Sequence, residues 1–127
     1  MAFTGYNFPS PSELRKFLEP TAAGVTTSWA RATAARLQCA VFVGYPETAG
    51  EDSYNSAVLV TRDGNVATNY RKTFLFTTDL SWASEGQGFF AGDVEGLGRV
   101  ALGICAFPPP PVSIGSWGRL TRGKVWI

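Results

Sequence analysis

The chain holds two cysteines and no histidine, and together these narrow the chemistry it can do. Cys105 stands at the end of Gly98-Arg99-Val100-Ala101-Leu102-Gly103-Ile104-Cys105. Val100, Leu102 and Ile104 have the character of a buried strand, and Gly103 lets the backbone pass close to a neighbour. Chemistry in α/β sheets collects at the carboxyl ends of strands, and a thiolate placed there is a nucleophile. The same position also suits a core, because cysteine is among the most buried residue types. Without histidine, Ser-His-Asp, Cys-His and histidine-bearing metal sites are excluded. A nucleophile in this chain would pass its proton to Glu, Asp, Lys or Tyr. Cys39 and Cys105 are too widely spaced for a zinc pattern, and both read as free thiols of a cytoplasmic protein.

Taken singly, the other candidates are bland. Lys72 reads as a solvated lysine, Glu47 and Glu85 as loop carboxylates, and Cys39, inside an apolar run, as core. Gly86-Gln87-Gly88 and Gly96-Leu97-Gly98 lack the strand-turn-helix setting of a phosphate loop and read as turns.

The elements that would position these residues follow from pattern. With 127 residues, 45% of them apolar, the chain suits one modest domain. A net charge of +1 gives no pull toward nucleic acid or an anionic membrane. Met1 to Phe8 lacks the pattern of a signal peptide. Four prolines, Pro108 to Pro111, rule out a spanning helix in the uncharged run Val100 to Trp117. Ser10-Pro11-Ser12-Glu13 reads as a capped helix start, with Leu14, Phe17 and Leu18 following and Pro20 ending it. Thr21 to Gly24 is a linker. A second helix is expected from about Thr27 to Leu37, with Trp29, Ala30, Ala34 and Leu37 on one face. Cys39 to Val43 reads as a strand covered on both faces, ended by Gly44-Tyr45-Pro46-Glu47, with Thr48 to Ser53 as a loop. Tyr54 to Val60 and Val66 to Tyr70 form a hairpin about Asp63-Gly64. Thr73 to Phe90 shows no period, and a loop of that length in a compact domain is usually functional.

The order of motifs says more than any one of them. Tyr54-Asn55-Ser56-Ala57 leads to Asp63-Gly64, then to Tyr70-Arg71-Lys72, then to Gly103-Ile104-Cys105. This order resembles the nitrilase, or carbon–nitrogen hydrolase, superfamily. Met1 to Phe8, Gly44-Tyr45-Pro46-Glu47 and Ser81-Trp82-Ala83 look most like its fungal branch, the protein N-terminal asparagine/glutamine amidases. The resemblance implies an α/β fold, a partial α-β-β-α sandwich, over residues 1–106, with residues 107–127 a divergent Pro-rich tail.

It also implies a chemistry. Cys105 would attack an amide carbon and form an acyl-enzyme that water hydrolyses. Lys72 would favour the thiolate and oppose charge developing on the substrate oxygen, with the N–H of Ala106 as a second donor. Glu85 matches the family's supporting glutamate and would orient substrate. No metal or organic cofactor is implied. The substrate would be a small amide or a protein N-terminal Asn or Gln, and a complete version would form a homodimer through its helices. The family's general-base glutamate precedes the segment matching Met1, so no residue here corresponds to it; Glu13 and Glu47 do not align. Phe74 replaces a frequent histidine, and Ala106-Phe107 a polar sequence. The expectation is a truncated amidase with little or no turnover and incompletely covered apolar faces. The alternative is a non-catalytic regulatory fragment that pairs with a full-length relative.

Overall fold

The computed structural model describes residues 1–8 and 10–104. Cys105, Ala106 and the Pro-rich stretch lie outside the described residues. The chain runs through α1 (Pro11–Arg15), β1 (Glu19–Pro20), α2 (Val25–Leu37), β2 (Val41–Ala49), β3 (Asp52–Val60), β4 (Val66–Arg71), a 3₁₀ turn (Asp79–Ser81), β5 (Phe90–Val94) and β6 (Gly98–Leu102). Strands β1 to β4 form one sheet in chain order, and β5 and β6 form a second, two-stranded sheet.

Local chemistry explains the elements. Ser10 Oγ accepts the Glu13 N–H at 3.3 Å and Pro11 opens α1. The N-cap of α2 is Gly24, which has no side chain to cap with. The Glu19 carboxylate does that work instead, accepting the Thr26 N–H at 2.8 Å at the positive end of the helix. The β3–β4 hairpin closes with Gly64 at φ +80°, as the Asp-Gly signal requires. Its register, Leu59 against Thr68 but Val60 against Val66, carries a bulge at Ala67.

Alternation along the strands sends side chains to two different layers. On one face, Val43, Tyr45, Val58 and Val60 pack against Ala30 and Ala34 of α2. On the other, Leu59 and Tyr70 pack against Val94, Val100 and Leu102 of the β5–β6 ribbon. Helix, sheet and ribbon are thus three layers of a partial α-β-β-α sandwich. A Val or Leu fully buried in such layers contributes about 1.5–3 kcal/mol relative to exposure.

Four expectations change. Strand β2 does not stop at Gly44 but continues to Ala49, and β3 starts at Asp52, so Thr48 to Ser53 is a tight strand connection rather than a loop. Pro46 is tolerated because β1 pairs only with Glu47 and Thr48, leaving no β1 bond for Pro46 to forfeit. On α2, Trp29 and Leu37 are 45% and 55% exposed, whereas Thr26 and Thr27 are buried. Only small side chains fit under the helix where Tyr45 already fills the gap, and Trp29 turns outward onto the Phe3 ring, 5.1 Å away. Cys39 is exposed, not core, because it sits between the left-handed C-cap Gln38 and the start of β2. Finally, β5 arises from residues whose Gly and Asp masked a strand.

Candidate active site

The end of β4 divides the site chemistry between the two faces. Arg71 and Lys72 are neighbours, so strand alternation points them in opposite directions. Lys72 turns away from α2 and is 1% exposed. Its Nζ donates to Asp79 Oδ2 at 2.5 Å and lies 3.5 Å from the Tyr6 hydroxyl. Asp79 gathers three further donors: the Tyr6 hydroxyl at 2.9 Å, Asn55 Nδ2 at 3.2 Å and the Phe76 N–H at 2.9 Å. Burial works against charge on both partners, but the ion pair and its hydrogen bonds outweigh it. The Lys72 ammonium is held above its ordinary pKa and the Asp79 carboxyl below its own. A buried cation thus stays charged at neutral pH.

The backbone fixes this arrangement from both sides. The Lys72 N–H donates to Asn55 O at 2.8 Å, and the Lys72 carbonyl accepts the Gly86 N–H at 2.9 Å. A Cβ at Gly86 would lie 2.3 Å from the Arg71 carbonyl oxygen, so only glycine lets the 73–89 loop return this closely.

Lys72, Asn55 and Tyr6 form part of the wall of a cavity of about 590 Å³, with Phe42, Phe76 and Ile104 as apolar walls. Ile104 directly precedes Cys105. The structure therefore brings Lys72 and the residue before Cys105 to one cavity. Glu85 is exposed and takes no part in this wall, although the neighbouring Gly86 bonds to the Lys72 backbone.

The opposite face carries a different buried charge. Glu47, 0% exposed, accepts from Arg71, Ser56, Asn69 and Thr21. Burial opposes its charge, and these donors more than offset that, holding its pKa below the ordinary value. Tyr45 extends the network, donating to Asn69 Oδ1 and accepting the Ala22 N–H, both at 2.8 Å. Burial pushes the Tyr45 hydroxyl up to about 12. Glu47 is therefore no loop carboxylate: it pins β2, β3, β4 and the Thr21–Gly24 turn together.

Sequence reasoning passed over Asp79, Asn55 and Tyr6. The available signal for Asp79 was the long aperiodic loop itself, which carries a carboxylate back under the lysine.

The site has relatives. A family model described as carbon-nitrogen hydrolase matches residues 1–106. The protein N-terminal amidase of Schizosaccharomyces pombe is 34% identical over 112 residues, covering 83% of this chain and 39% of that protein. The Saccharomyces cerevisiae protein N-terminal amidase is 35% identical over 85 residues, covering 66% of this chain and 19% of that protein. This chain thus spans well under half the length of these relatives. Among solved structures, an N-terminal amidase crystallised with an Asn-Glu-Ala peptide superposes with TM-score 0.71 at 28% identity, over 81% of this chain and 29% of that one. With the motif order, the layered fold and a match over residues 1–106 of 127, the chain belongs to the carbon–nitrogen hydrolase family.

Proposed function

We propose that this chain carries part of the site of an amidase that converts the side-chain amide of an N-terminal Asn or Gln to the acid. One observation carries the reading: a lysine kept charged by Asp79 stands in the wall of the cavity that Ile104 also lines. Cys105, the next residue, would attack the carboxamide carbon. Its thiolate adds to the carbon, the oxygen takes the negative charge, and collapse expels ammonia once the nitrogen is protonated. Lys72 and the Ala106 N–H would hold the oxyanion. Crystallised relatives with Asn-Glu-Ala and Gln-Gly peptides support this substrate class.

Lys72 would also favour the thiolate, whose unperturbed pKa is about 8.5. The test is the pH dependence of alkylation by iodoacetamide, read by peptide mass. Cys105 should react at lower pH than Cys39, and Lys72→Met should remove that difference. Equal inertness of the two thiols would overturn the reading.

A further inference from the structure

We propose that Asn55 recognises the N–H of the substrate carboxamide through its Oδ1, making it a specificity residue beside the cysteine and lysine. The inference rests on the amidase reading above and adds the group that distinguishes an amide from its ester.

The orientation of the Asn55 amide is set by its neighbour. An ionised carboxylate only accepts hydrogen bonds, so Asn55 must present Nδ2, not Oδ1, to Asp79. The other end of the amide is then turned away from that contact. Asn55 Oδ1 has no hydrogen-bond partner among the described residues. Nor is it sealed in: the one fully buried side-chain polar atom without a partner among them is Thr27 Oγ1. Asn55 is only 3% exposed overall and lines the 590 Å³ cavity. An unpartnered acceptor therefore opens onto an otherwise largely apolar chamber.

The pairing with Lys72 defines what fits. Asn55 and Lys72 are cross-strand neighbours, joined by the Lys72 N–H to Asn55 O bond, and both side chains converge on Asp79. The ammonium can only donate and the free Oδ1 can only accept. A primary carboxamide offers the complement, a carbonyl that accepts and an NH₂ that donates. A methyl ester keeps the carbonyl and loses the donor, leaving Oδ1 unpaired against an oxygen. The Tyr6 hydroxyl, by contrast, is already engaged both ways, donating to Asp79 and accepting from Lys72 Nζ at 3.5 Å.

The experiment uses the full chain with Cys105→Ala, so that no probe is consumed, and calorimetric titration with two probes. One is the peptide Asn-Glu-Ala; the other is the same peptide with the side-chain amide replaced by a methyl ester. One neutral hydrogen bond corresponds to about a two- to tenfold preference for the amide. Adding Asn55→Ala should abolish that preference while leaving ester affinity within about twofold. Equal affinity for the two probes with Asn55 intact would overturn the proposal, as would an equal loss for both in Asn55→Ala. If Asn55→Ala does not fold, the comparison with Asn55 intact decides alone. Binding of neither probe would remove the amidase reading itself, so the two failures are distinguishable.

Discussion

Two neighbouring residues send a cation to each face of the same sheet, and the two cations meet opposite surroundings. Arg71 meets Glu47 in a network completed by Ser56, Asn69 and Thr21, and leans over the Tyr54 ring at 3.8 Å. Lys72 meets Asp79 at the wall of a cavity. Both carboxylates are buried, paired and held in their charged forms. Burial and a lowered pKa therefore do not separate a structural carboxylate from one at a working site. What separates them is which cavity their partners line. Three partners of Glu47, namely Arg71, Asn69 and Thr21, line a separate cavity of about 460 Å³, whereas the lysine and asparagine on Asp79 face the chamber that Ile104, the residue before Cys105, also lines.

The largest effects should come from breaking either pair. Removing one partner of a buried ion pair typically costs about 3–5 kcal/mol, because the other charge is left without compensation. Glu47→Ala and Lys72→Met are both expected to lower stability by about that much in urea unfolding. The two should differ in thiol chemistry. Lys72→Met should shift Cys105 alkylation to higher pH, and Glu47→Ala, in whatever fraction stays folded, should not. A shift in Glu47→Ala would erase the distinction between the faces.

A middle-sized effect should come from pH. Asp79 and Glu47 have folded pKa values below their ordinary 3.8 and 4.5, so their stabilisation is complete above those values and is lost as pH falls through the lower, folded ones. Lys72 is raised above 10.5, so its contribution is complete below that value and is lost as pH rises through the folded one. Urea midpoints measured across pH should therefore fall at both ends. Lys72→Met should remove its part of the alkaline loss, while Glu47→Gln should weaken only the acid limb. An unchanged alkaline limb in Lys72→Met would mean that the lysine carries no such linkage.

The smallest effects should come from single hydroxyls. Thr21→Val and Tyr6→Phe each remove one donor to a buried carboxylate and should cost about 1–3 kcal/mol in thermal or urea unfolding. Tyr6→Phe should additionally alter peptide binding, since Tyr6 lines the cavity and Thr21 does not.

Much of this was legible in the sequence. The α1 cap, the helix ending at Leu37, the Asp-Gly hairpin and the family's motif order all rest on local chemistry, and local chemistry is written in adjacent residues. The rest depended on contacts distant in sequence. Pro46 looked like a strand end because its tolerance depends on how short β1 is. Trp29 looked like core because only Tyr45, packed against α2, shows that the space is already filled. Asp79 had no signature of its own, since a carboxylate seven residues beyond a lysine becomes its partner only when the loop folds back under it. Glu47 looked like a loop carboxylate because the four donors that hold it come from three other segments.

The extra residue at Ala67 sets which cation the chamber receives. Were the ladder from Val60 and Val66 continued through Ala67 with no bulge, Thr68 would pair with Val58 rather than Leu59, and every later side chain of β4 would change sides. The guanidinium would then confront the chamber and the ammonium the Glu47 network. Deleting Ala67 would remove the bulge yet leave Thr68 opposite Leu59 and Lys72 on its present side, so the exchange of charges requires Ala67 to enter the ladder, not to be lost.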